Sequence, residues 1–394
     1  MTPEKKPRIS RWHVGAFTRY VVIPLILVAL GVLIGKGTHR GAEAPAGPGA
    51  GPAAEGPAQQ TAPPQPAAEA VVEASCSFQG NLYPSLMLSL AASYPEYARC
   101  LSFTLRNLPQ GASVELRVDS ALFVEPLVVA VSPADGTATL NPELPWNYPA
   151  LRRNTQMQPQ TFVASLLVDG RASAEASLLC TVHSVNEAVS RVFAGNPGQW
   201  QDTSVCFAAF VNEDHPWIST LLSEAIASGT VRSFSGYQAG GAPVLAQVQA
   251  VWDALAARGL SYVNVATDSG ASPYLSTQYV RFLEQSVSER GANCVDASVL
   301  FASVLRRIGL RPVLLFRPGH CFTGFYDAAE GGRIVAFETT LLGSAPFAAA
   351  VAEGTKELQT TLPYAGTPQY SVVDIAVCRQ QGVSPIPYEP ADHN

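Results

Sequence analysis

Between residues 75 and 185 apolar and polar positions alternate in short runs separated by turn residues. The runs 101–105, 113–118, 127–131, 137–140, 162–168 and 176–182 read as strands, each apolar on one face. Asp169-Gly170 stands between the last two, the dipeptide that suits a tight hairpin turn. Helical signals are few, so this stretch predicts a small antiparallel β-sandwich, either a support or a surface that recognises substrate or partner.

After Asn186 the period lengthens. A helix begins at Asp214-His215-Pro216-Trp217 and places Leu221, Leu222, Ala225 and Ile226 on one face. A second, over 244–257, gathers Val248, Val251, Trp252 and Leu255. Residues 295–305 are apolar nearly all round, which predicts a helix running through the core. Asn293 reads as its N-cap, with Asp296 at the third helical position able to reach back as in a capping box. Arg306 and Arg307 suit its C-terminal end, and Gly309 stops it. The run 312–316 then reads as a buried strand, Pro318-Gly319 breaks it, and 320–326 forms the next. Gly331-Gly332 turns the chain again, so that 333–338 returns antiparallel and brings Glu338 opposite His320 near one end of a hairpin. A late strand is expected over 370–375. The chain as a whole is therefore α+β.

The N-terminus stands outside this pattern. Residues 20–35 are uncharged and follow Lys5, Lys6, Arg8, Arg11 and Arg19. As a helix they cover about 24 Å, and Ala16, Phe17 and a snorkelling Arg19 complete the ~30 Å of a hydrocarbon core. The stretch is long for a signal peptide and is followed by a poor cleavage context, which favours an uncleaved anchor with the basic end in the cytoplasm. From about residue 41 to 74 the chain is Ala, Gly and Pro with a few Glu and Gln, a disordered tether. The expected organisation is a cytoplasmic tail (1–19), a transmembrane anchor (20–35), a linker (36–74), the sandwich (75–185) and a second domain (186–394). That places the protein in the inner membrane, single-pass, with its globular part exported.

Of the 394 residues only 14% are charged, and the formal net charge is −6, which argues against nucleic acid as a partner. No cysteine and histidine spacing resembles a zinc site and no Gly-rich phosphate loop is present, so neither metal nor cofactor is expected. Seven cysteines fit an oxidising compartment, with Cys294 kept free and the other six able to pair. Cys76, Cys100 and Cys180 fall in the sandwich and Cys206, Cys321 and Cys378 beyond it, so complete pairing needs a bridge between the two; Cys321 could instead stay a buried thiol.

Cys294 carries the candidate chemistry. A thiol attacks as thiolate, and the first turn of a helix favours negative charge through its unpaired N–H groups. His320 can take the thiol proton, and Glu338 can hold the imidazole in the right tautomer. An oxyanion would need donors, of which the Cys294 N–H is one; Gln278 is a tentative second, or else only a polar residue on a supporting helix.

Gly291-Ala292-Asn293-Cys294-Val295-Asp296, then Gly319-His320-Cys321-Phe322 and Phe337-Glu338-Thr339-Thr340, resemble the core of the transglutaminase-like superfamily, here in the guise of a bacterial envelope member. The resemblance implies a papain-like cysteine-peptidase fold over 186–394, with Cys294 as nucleophile, His320 as base and Glu338 where the family more often has Asp. It implies an amide-cleaving enzyme that acts through a thioester on a protein or peptide in the cell envelope, most simply a peptidase. Acyl transfer to an amine and a catalytically silent peptide-binding scaffold are the other activities that such a fold supports.

Overall fold

The computed structural model describes residues 69–119, 121–132, 135–193, 200–238, 243–264, 275–367 and 369–388. The expected tail, anchor and linker up to residue 68 lie outside them. Among the described residues no helix is long and apolar enough to cross a membrane.

The first half builds two sheets. One is antiparallel and joins β1 (Val71–Cys76), β3 (Leu101–Arg106) and β6 (Ala138–Leu140) in the order β1-β3-β6. The other runs β2-β8-β7-β4-β5, with β2 (Asn81–Leu82), β4 (Val114–Val118), β5 (Leu127–Val131), β7 (Gln158–Val168) and β8 (Arg171–Val182). Alternation puts Leu101, Phe103 and Leu105 of β3 and Val114, Leu116 and Val118 of β4 into one shared core with Phe123 and Phe162. The β7–β8 hairpin turns at Asp169 and Gly170, whose φ of 48° and 76° are those of a type I′ turn. Two expectations need correction. Residues 71–74, read as the end of the tether, belong to β1, because their backbone pairs with β3. The larger sheet is mixed, since the short β2 pairs parallel to β8.

The second half opens with strands where helix was expected. β9 (Glu187–Phe193) pairs antiparallel with β10 (Trp200–Asp202) and with β12 (Leu275–Tyr279). β11 (Ser261–Tyr262) lies parallel to β13 (Gly291–Ala292). A four-stranded antiparallel sheet then runs β16-β15-β14-β17, from β14 (Pro312–Arg317), β15 (His320–Tyr326), β16 (Ile334–Phe337) and β17 (Ser371–Asp374).

Among the described residues these strands are accompanied by the helices α1 (Pro84–Leu90), α2 (Tyr148–Arg153), α3 (Pro216–Ala227), α4 (Val244–Ala257), α5 (Leu283–Glu289), α6 (Cys294–Arg307), α7 (Phe347–Thr361) and α8 (Ile375–Gln380). Every residue of α6 from Val295 to Leu305 is buried, as its apolar sequence requires. Trp252 of α4 stacks on Phe301 of α6 at 5.6 Å, and Phe337 and Phe347 close the same aromatic cluster.

The two halves share their boundary. Ser85 Oγ of α1 donates to the Glu187 carbonyl at 2.5 Å, and Ser384 N–H donates to the Ser89 carbonyl at 2.9 Å. Arg152 of α2 reaches across to the Pro387 carbonyl at 2.6 Å and to Glu284 at 3.1 Å, its guanidinium lying over the Phe282 ring. His183 stands at the seam, stacked on Tyr83, with Glu187 on Nδ1 at 2.9 Å and Asn81 on Nε2 at 2.8 Å.

Candidate active site

Cys294 is the first residue of α6, and the cap that begins this helix is built as the sequence predicts. The Asn293 side chain accepts from Val295 N–H and Asp296 N–H, both at 2.9 Å, while Asp296 Oδ2 accepts from Asn293 N–H at 3.0 Å. Asp296 has a further function that its place in the cap does not reveal. It is fully buried and also accepts from Arg281 N–H at 2.8 Å and from the Arg281 guanidinium at 2.9 Å, which ties the segment after β12 to the start of the Cys294 helix. Burial pushes its carboxyl up, and the bonds from Arg281 and Asn293 offset this only in part.

His320 begins β15, the strand on which α6 packs. The ladder pairs Thr323 with Phe337, so Glu338 falls one step past its end and meets His320 diagonally rather than opposite. Glu338 is itself buried and caps a short 3-10 turn, its Oε1 accepting from Thr340 N–H at 2.8 Å. Its Oε2 then lies 2.8 Å from His320 Nε2. Cys294 opens onto the same cleft as the imidazole and favours its charged form. Burial on its own would lower the affinity of His320 for a proton. The facing Cys294, Glu338 and Glu357 favour the charged ring, outweigh burial and push the imidazolium up to about 12. Glu338 moves the other way: burial would raise it, but His320 and Thr340 hold it below the usual carboxylate range.

Glu357 was not expected. It comes from α7, and its Oε2 is 3.4 Å from His320 Nε2 while its Oε1 is 3.6 Å from the Arg317 guanidinium. No local motif announces it, because it reaches the site through the packing of a helix. The donor atoms of His320, Glu338 and Glu357 lie within 4.8 Å of one another, a group that could hold a metal ion. When His320 is charged, its Nε2 proton occupies that position.

These residues open onto a cleft of about 450 Å³ lined by Cys294, Gly319 and His320, by Tyr262 and by Arg191 and Arg317. Gln278 lines the same cleft, but from strand β12 and not from a helix as expected, and its Nε2 donates to the Tyr279 carbonyl at 3.0 Å. Tyr262 was also missed. Its hydroxyl is pushed up by burial first and then by the charge of Cys294, which places it within the field of the site.

The cysteine pairing expected of an exported chain is not formed: Cys76, Cys100, Cys180, Cys206, Cys294, Cys321 and Cys378 are all free thiols. Within the first half Cys180, and then burial, push the Cys76 thiol up. Cys206, Cys321 and Cys378 are each buried, and Cys321 directly follows His320 with its side chain in the core, as a buried thiol would.

No protein-family model matches the sequence, and no curated protein matches it. Among solved structures the chain is similar to a transglutaminase from red sea bream. The identity is 13%, the match covers 62% of this chain and 48% of that one, and the TM-score is 0.19. The chain thus spans about half the length of that protein. A likeness this faint carries no argument by itself, so the functional reading rests on the geometry.

Proposed function

We propose that this chain is a membrane-anchored, cysteine-dependent amide hydrolase of the cell envelope, a peptidase of transglutaminase-like type acting through Cys294, His320 and Glu338. The observation that carries the reading is the imidazole of His320, which lines one cleft with Cys294 at the start of α6 and is held through Nε2 at 2.8 Å by the buried Glu338. A thiolate and imidazolium pair at a helix start is an activated nucleophile with its acid already in place.

In the proposed reaction the Cys294 sulfur attacks the amide carbon, forming a C–S bond and an oxyanion. The Cys294 N–H has no carbonyl four residues back to serve, so it is free by helix geometry to stabilise that oxyanion, with Gln278 as a second donor from β12. Collapse breaks the C–N bond, and the leaving amine takes the imidazolium proton. Neutral His320 then removes a proton from water, which attacks the thioester, releases the acid and returns the proton to the pair. No cofactor enters this sequence.

Competitive alkylation with iodoacetamide at pH 7, read at all seven cysteines by mass spectrometry, tests the pair. Glutathione added to the same sample is the standard, an ordinary solvent-exposed thiol. Labelling of Cys294 is expected to be at least ~10-fold faster than that of glutathione, and His320→Ala is expected to abolish the difference. Equal rates in the unaltered protein would leave a silent peptide-binding scaffold. With peptide substrates and added methylamine, an amidated product in place of the free acid would identify an acyltransferase.

A further inference from the structure

We propose that Glu357 is a second orienting carboxylate, a positioning residue that shares with Glu338 the Nε2 proton of His320. This deepens the reading above and rests on it for its catalytic meaning.

The position of Glu357 follows from how α7 packs. Gly354 faces β16 so closely that a Cβ there would overlap the backbone of Phe337, and Glu338 N–H donates to the Ala350 carbonyl of α7 at 2.9 Å. The helix therefore lies directly on the strand that ends at Glu338. Three residues beyond Gly354, on the same helical face, Glu357 is carried to the imidazole edge that Glu338 already meets. Arg317, whose position in β14 pairs with His320 in β15, holds Glu357 Oε1 at 3.6 Å. Oε2 is left buried, with no hydrogen-bond partner of its own and 3.4 Å from Nε2. A buried carboxylate oxygen in that state is costly unless a positive charge faces it. The charged and titratable groups around the imidazole are Cys294 from α6, Glu338 from the end of β16, Glu357 from α7, Arg317 from β14 and Tyr262 from β11. Of the two carboxylates Glu338 is nearer and Glu357 is offset, so a small swing of the ring about Cβ–Cγ exchanges one acceptor for the other. The ring keeps its proton and its tautomer throughout.

The two carboxylates are then partly redundant, which single substitutions conceal and a double-mutant cycle reveals. In full-length protein carrying ¹³C-labelled histidine, the six histidines give six signals, and His320→Asn assigns the one of interest. Glu338→Gln and Glu357→Gln alone are expected to leave His320 charged through pH 9. The double variant is expected to titrate at least ~1 pH unit below Glu338→Gln, since removing one close charge from a half-buried site is worth a shift of that order. Alkylation of Cys294 at pH 7 should fall in the double variant by more than the product of the two single effects. A packing role for Glu357 would move neither readout, because Gln is isosteric. Midpoints within ~0.3 unit in Glu338→Gln and the double variant would overturn the proposal. So would a midpoint that changes on treatment with a chelator, which would mean that Glu357 acts through a bound cation. The titration needs no substrate and no turnover: an inert Cys294 with coupled carboxylates refutes the hydrolase reading alone, and an active Cys294 with an idle Glu357 refutes only this one.

Discussion

Replacing Asn293 by alanine removes the oxygen that accepts from both Val295 N–H and Asp296 N–H at 2.9 Å. Loss of an N-cap acceptor costs ~1 kcal/mol on average and up to ~2 in a protein. Asn293 is 5% exposed, so water cannot readily replace it, and a buried donor left unpaired costs ~1–3 kcal/mol. The combined loss should be roughly 2–3 kcal/mol. In urea, with an m-value of roughly 3 kcal/mol/M for a chain of this size, the unfolding midpoint should fall by ~0.7–1 M.

Asn293→Asp separates the cap from the charge. It keeps the acceptor at a helix N-terminus, where a carboxylate is favourable, so stability should stay within ~1 kcal/mol. The same carboxylate stands next to Cys294 and opposes formation of the thiolate, so alkylation at pH 7 should slow by about an order of magnitude. A midpoint for Asn293→Ala within ~0.2 M of the parent would show that the cap does not hold the start of α6. Unchanged alkylation in Asn293→Asp would show that the sulfur does not react as a thiolate at that site.

Trp252→Ala empties the centre of the cluster with Phe301, Phe337 and Phe347 and should cost ~3–5 kcal/mol by thermal or urea unfolding; a loss under ~1 kcal/mol would mean that the cluster is not core. His320 has its folded proton affinity raised from the ordinary 6.5 to about 12, so its stabilisation is complete below pH ~6.5 and declines as pH rises toward the folded value. The stability difference between the parent and His320→Gln should therefore shrink between pH 7 and pH 10, and a constant difference would contradict the pairing. The expected anchor at 20–35 requires that full-length protein fractionate with membranes and resist extraction by high salt; a soluble form beginning after Gly35 would identify a signal peptide instead.

Where local pattern and tertiary packing agree, the sequence was legible. The β7–β8 hairpin could be read because its strands alternate and Asp169-Gly170 supplies the two positive φ values. α6 could be read because eleven successive buried positions need a helix without a polar face. β1 was hidden by composition, since Val71 to Ala74 continue an Ala-rich tether and become a strand only on meeting β3. β9 and β12 were hidden by distance. Val189 pairs with Thr277, so the pairing that makes strands of both lies far outside any local window, and Gln278 was accordingly placed on a helix.

The candidate site divides along the same line. Cys294 and His320 open a helix and a strand, and Glu338 stands just past the strand that follows, where chain order and a hairpin suffice to predict their meeting. Glu357 has the same charge and lies almost as near the imidazole, yet nothing around it in the sequence differs from a solvated helix face. Its place is decided by Gly354, a residue that ordinarily weakens a helix by roughly 1 kcal/mol relative to alanine. That cost is intelligible only from the contact with Phe337, because any side chain at 354 would lift α7 from β16 and draw Glu357 away from His320. A glycine inside a helix that follows a nucleophile, its base and a first acid by one more element is thus the sequence feature through which a second acid could have been sought.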